Sequence, residues 1–157
     1  MLKAKYYFGI IFILTFISFH SESQILINEY SASNLSDFPD NYALFEDWIE
    51  IYNQGTETVD LEGYSLSDNP DNPDKWIIPG GIQISPGQFL KFWLSGRDEV
   101  SGSNYHTNFK FTQTKNETES VLISDPSGFV IDQRQLQITQ LGHSRGRSND
   151  GSEDWVI

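Results

Sequence analysis

From Ile25 onward the apolar residues of this chain recur at every second position, in short runs broken by Gly, Pro, Asn and Asp. A period of two matches side chains that alternate between the faces of a strand, and no helical stripe, heptad or internal repeat competes with it. The clearest run is residues 47–53, where Ile49 and Ile51 face one way and Trp48, Glu50 and Tyr52 the other. In an earlier strand Ile25, Ile27 and Glu29 share one face, with Leu26, Asn28 and Tyr30 opposite. In residues 89–94, Leu90, Phe92 and Leu94 form the core face. Shorter strands are expected over 63–67, 76–78, 82–84 and 108–111. A hairpin of residues 120–124 and 129–133 is expected across Asp125-Pro126-Ser127-Gly128, with further pairing over 136–141. Ser85-Pro86-Gly87 has the residue order of a tight turn, while 31–46 and 97–107 read as loops. The expected architecture is one all-β domain.

The first two dozen residues stand apart from this pattern. Lys3 and Lys5 precede an uncharged apolar run over 6–19, and Ser21-Glu22-Ser23 supplies small residues where a signal peptidase cuts. Residues 1–23 are therefore expected to be a cleavable signal peptide and residues 24–157 the domain. The competing reading is an uncleaved anchor, against which the run is shorter than the ~20 apolar residues of a spanning helix. The chain ends on Trp155-Val156-Ile157 without a linker, as a truncation, or the N-terminal module of something longer, would.

With 157 residues there is enough chain to bury one core without crosslinks. Cysteine is absent, which excludes disulfides, thiolate metal sites, a Cys nucleophile and a lipid-modified N-terminal Cys. The formal net charge is −12, and loss of Lys3, Lys5 and Glu22 with a leader makes it more negative. Nucleic acid and anionic membrane are disfavoured as partners of such a surface, because neutralising phosphates takes clustered Lys and Arg.

Few residues suggest chemistry. Glu29 and Glu50 are carboxylates inside apolar strands: as a pair they suit acid/base work, and alternatively each accepts a bond from Arg147 or from backbone donors. Asp68, Asp71 and Asp74 in one loop, and Asp150 and Asp154 in another, offer the oxygen ligands calcium prefers, although neither loop has helix-loop-helix calcium spacing. No cofactor is otherwise expected. His106 and His143 read as exposed loop or edge residues, and His143 and Ser144, being adjacent, point to opposite faces and form no dyad. Asn34-Leu35-Ser36 and Asn116-Glu117-Thr118 match the glycosylation sequon. Trp48 and Tyr52 read as core packing, with an aromatic ligand platform as the alternative.

Several of these pieces, in order, resemble the lamin tail domain, an immunoglobulin-like β-sandwich found in nuclear lamins and in many secreted bacterial proteins. Ile27-Asn28-Glu29 matches its opening strand, and Asp47-Trp48-Ile49-Glu50-Ile51-Tyr52-Asn53 its next signature, with Ile51 for the usual leucine. Val59-Asp60-Leu61-Glu62-Gly63-Tyr64-Ser65-Leu66-Ser67-Asp68 follows, with Glu62 and Tyr64 as departures. Pro79, then Ile84, Pro86, Gly87 and Phe89, and finally Ser144, Gly146, Arg147, Asp150, Gly151, Ser152, Asp154 and Trp155 complete the match. The resemblance implies structural roles for Asn28, Glu29, Asp47, Trp48, Glu50, Tyr52, Asn53, Leu61, Gly63, Gly87, Arg147 and Trp155. It also implies a non-enzymatic module that contacts a protein or a cell-surface glycan outside the cell. The rivals are a calcium-dependent carbohydrate binder using Phe89, Trp93 and the acidic loops, and the non-catalytic part of a secreted hydrolase or nuclease.

Overall fold

The computed structural model describes residues 24–112, 119–137 and 140–157. Residues 1–23, read above as a leader, lie outside these, as do Asn116 and part of the pairing expected over 136–141. Among the described residues there are only strands: β1 (Ile25–Ser31), β2 (Trp48–Asn53), β3 (Val59–Asp60), β4 (Ser65–Ser67), β5 (Trp76–Ile77), β6 (Gln83–Ile84), β7 (Phe89–Trp93), β8 (Glu99–Ser101), β9 (Asn104–His106), β10 (Ser120–Ser124), β11 (Val130–Gln135), β12 (Arg145–Arg147) and β13 (Trp155–Val156). Seven form one sheet in the order β13-β12-β1-β2-β7-β9-β8, four form a second in the order β11-β10-β4-β5, and β3 pairs with β6. The two larger sheets face each other as an immunoglobulin-like sandwich. No described helix is long and apolar enough to cross a membrane.

The core lies where the alternation puts it. Ile25, Ile27, Ile49, Ile51, Phe92 and Leu94 from the large sheet meet Leu66, Val121 and Ile123 from the small one, with Leu90 packed against their edge. Leu61, Ile78 and Ile84 enter from the connections and are fully buried. Side chains removed from water on both inner faces supply the main drive for closing the sandwich.

One strand departs from strict alternation. Opposite β2, Ile27 pairs with Ile51 but Glu29 pairs with Glu50, so Asn28 is an extra residue in β1. The bulge reverses the face assignment beyond it. Tyr30, expected outside, joins the core at 2% exposure, and Glu29 moves to the outer face opposite Glu50.

Several local expectations are corrected. Strand β2 stays between β1 and β7, whereas β3 and β4, which follow it in the chain, cross to the other sheets. The strand expected over 63–67 is β4 and begins at Ser65, not Gly63, since Gly63 turns with φ +80° while its N–H bonds Ile78 O. A Cβ there would meet Pro126 at an ordinary 3.4 Å, so backbone conformation rather than close strand approach selects glycine. The 97–107 loop contains the β8–β9 hairpin, and β9 runs parallel to β7. Residues 108–111 form no strand, although Phe109 and Phe111 still reach the core. The β10–β11 hairpin forms as expected, its turn fastened by the Asp125 carboxylate, which accepts the N–H groups of Ser127 and Phe129.

Candidate functional site

Strands β1, β2 and β7 set the outer face of the large sheet in cross-strand rows. Trp48 lies opposite Trp93, Glu29 opposite Glu50 and Glu50 opposite Lys91, and Tyr52 opposite Phe89. Trp48 is buried, but on this outer face rather than in the core: Phe38 from the 31–46 loop packs edge-on against it at 6.0 Å between centroids. The Lys91 ammonium lies 4.0 Å from the Trp48 ring centre and 4.2 Å from that of Phe38. Tyr52 stacks on Phe89 at 4.7 Å. Trp48 is thus packed beneath Phe38 and Lys91, while Tyr52 is half-buried against the partly exposed Phe89.

In the acidic row, burial and then the neighbouring Glu29 push the Glu50 carboxyl up, while Asn28 and Lys91 oppose the shift. Burial draws the Lys91 ammonium down. The arrangement holds a negative pair beside one cation on a sheet face. Arg147 does not serve this pair.

Instead Arg147 joins the two sheets. Its Nη2 donates to Asp132 Oδ2 at 2.8 Å, its Nε to Ile27 O at 2.8 Å and its Nη1 to Ser152 O at 2.5 Å. Asp132 Oδ2 also accepts the Ile27 N–H at 2.8 Å. β12 pairs with β1 only at Glu29 and Tyr30, which leaves the Ile27 backbone groups to be satisfied by this ion pair. Beside it, Trp155 packs on Tyr30 at 5.6 Å and under the guanidinium of Arg134 at 5.0 Å.

Asn53, the last residue of β2, works in the same way. Fully buried, it donates from Nδ2 to Glu57 O and Ile84 O at 2.8 and 2.9 Å and accepts the Gly55 N–H at 2.9 Å. Gly87, with φ +69°, completes the turn that returns to it, its N–H bonding Asn53 O. Leu61 is core.

The 31–46 loop is fastened rather than free. Arg97 reaches Asp40 at 3.0 Å and Glu46 at 3.3 Å, Lys110 reaches Glu46 at 2.8 Å, and Tyr42 donates to Glu99 at 2.7 Å. His106, expected to be exposed, is fully buried beneath it. Its Nε2 lies 2.7 Å from Asn41 Oδ1, which can only accept, so Nε2 carries the proton and Nδ1 accepts from Ser95 Oγ at 2.9 Å. Burial pulls the imidazole down. Ser95 and His106 are both covered, so this is a polar core network rather than a reacting dyad. Burial lifts the Asp47 carboxyl to about 6, against the Asn34 N–H it accepts at 3.2 Å. Asn34 itself is buried and its amide donates to Phe38 O and Glu46 O, so this sequon side chain is committed within the loop. His143 is exposed, as read.

Two of the calcium candidates have protein partners. Asp68 is bound to Lys75 at 2.7 Å, and Asp150 accepts from Asn28 Nδ2 at 3.2 Å. Among the described residues no three His, Asp or Glu side chains gather as a metal site would require.

Sequence reasoning missed Asp132, Arg134, Arg145, Asp40 and Arg97. A usable signal was present in the first group: Arg134, Arg145 and Arg147 crowd the end of an otherwise acidic chain. The model of one protein family, described as Lamin Tail Domain, matches residues 19–137. No curated protein matches the chain.

Proposed function

The chain belongs to the lamin tail domain family, a non-catalytic immunoglobulin-like fold, and on that premise we propose that it is a secreted, non-enzymatic binding module that tethers a larger extracellular or surface protein to a protein or glycan partner. One observation carries the reading: the polar groups of the kind that do chemistry are occupied by structural partners. Arg147 is spent on Asp132, His106 on Ser95 and Asn41, and Asp68 on Lys75. Exposed apolar side chains, by contrast, crowd the fastened 31–46 loop, where Leu35, Phe38, Tyr42, Leu44 and Phe45 are each about half exposed. A rigid crest of this kind suits contact, not turnover.

Expression of the full reading frame, followed by fractionation and mass spectrometry, tests the proposal. The protein is expected in the medium or the surface fraction with Gln24 at its N-terminus. Recovery in the cytoplasm with residues 1–23 retained would overturn it.

A further inference from the structure

The two sheets leave a cleft on one flank, between the edge strand β11 of the small sheet and β12–β13 of the large one. It measures about 240 Å³ and is walled by Tyr30 and Trp155, with Arg134, Arg145, Gln133 and Gln135 at its rim. None of its lining side chains is acidic, although the chain carries 22 Asp and Glu residues. The neighbouring cleft, around Arg147, differs: Asp132 and Glu153 line it. Arg147 is neutralised by Asp132, and Arg134 reaches only Glu153, whose side chain is 88% exposed. Arg145 has no carboxylate partner among the described residues.

We propose that this cleft binds one uronic-acid residue at the end of a surface glycan, its carboxylate held by Arg145 and Arg134. A guanidinium fork matches a carboxylate in two parallel hydrogen bonds. The glutamine amides offer both donors and acceptors, as sugar hydroxyls require, and the half-buried Trp155 offers apolar surface beside them. The volume suits a single sugar rather than a buried chain. The surrounding negative charge selects against long polyanions and leaves a terminal uronate as the fitting anion. This inference rests on the tethering role proposed above and names the glycan class.

Calorimetric titration of the protein with methyl glucuronide, methyl glucoside and inorganic phosphate tests it. Methyl glucuronide is expected to bind in the millimolar range, at least tenfold more tightly than either of the others. Arg145→Gln is expected to lose that binding with an unchanged melting temperature, and Arg145→Lys, which keeps the charge without the fork, to weaken it severalfold. Equal binding of methyl glucoside, phosphate binding as tight as that of glucuronide, or no heat with glucuronide would each overturn the site. An exported, surface-bound protein that ignores glucuronide refutes this inference while leaving the tethering role standing.

Discussion

Arg147 and Asp132 form a 2.8 Å ion pair that bridges the two sheets and closes the backbone of Ile27 from both sides, one partner taking its carbonyl and the other its N–H. Removing the guanidinium leaves a part-buried carboxylate without its cation and the Ile27 carbonyl without its side-chain donor. Arg147→Ala is therefore expected to lose about 3–5 kcal/mol of stability in urea unfolding. A loss under about 1 kcal/mol would show that the clamp is dispensable.

Asn53 is expected to tolerate neither Ala nor Asp. Asn53→Ala strands the carbonyls of Glu57 and Ile84 and the N–H of Gly55, and Asn53→Asp restores only the acceptor. Each variant should lose about 2–4 kcal/mol, since a buried group without its partner forfeits desolvation as well as the bond. Chemical denaturation of the two variants beside the parent measures this. An aspartate variant as stable as the parent would contradict the donor assignment.

Asp47 carries a pH-dependent penalty. Its folded pKa of about 6 exceeds its unfolded 3.8, so the folded state holds the proton more tightly. The penalty is absent below the lower value, grows between the two and is full above the higher. Asp47→Asn keeps an oxygen for the Asn34 N–H and removes the charge. Because this carboxylate is only partly buried, the variant is expected to gain about 1–2 kcal/mol near pH 8. That gain should vanish below about pH 4, as thermal melts across the range would record.

His106 has the opposite sign. A histidine whose pKa is lowered on folding contributes stability that is complete above the unfolded value of 6.5 and is lost as the pH falls below it. Its imidazole resonance, followed by NMR, should titrate with a midpoint below 6.5. A midpoint at or above 6.5 would refute the Ser95–His106–Asn41 network as drawn.

Alternation alone located Ile49, Ile51, Phe92 and Leu94, because a face of a strand is a local property. It misplaced Tyr30, since a bulge is set by which partner residue each backbone group finds across β2, and that register is not written in β1. The partner of Arg147 was missed for a related reason: Asp132 comes from the other sheet, and no spacing rule spans the two. His106 looked like an ordinary loop residue until β9 docked parallel to β7 and the 31–46 loop closed over it. Asn53, Gly87 and Leu61 were named by family resemblance alone. Their physical roles emerged only with the hydrogen bonds and dihedral angles around them.

The anchoring of the 31–46 loop through Asp40, Asn41, Tyr42 and Glu46 carries one consequence for recognition. Immobilisation there is settled when the polypeptide first folds. Whatever touches Leu35 or Leu44 thus encounters a preset relief and forgoes the entropic toll of freezing a wandering segment, a saving that shows itself in slower departure rather than faster arrival.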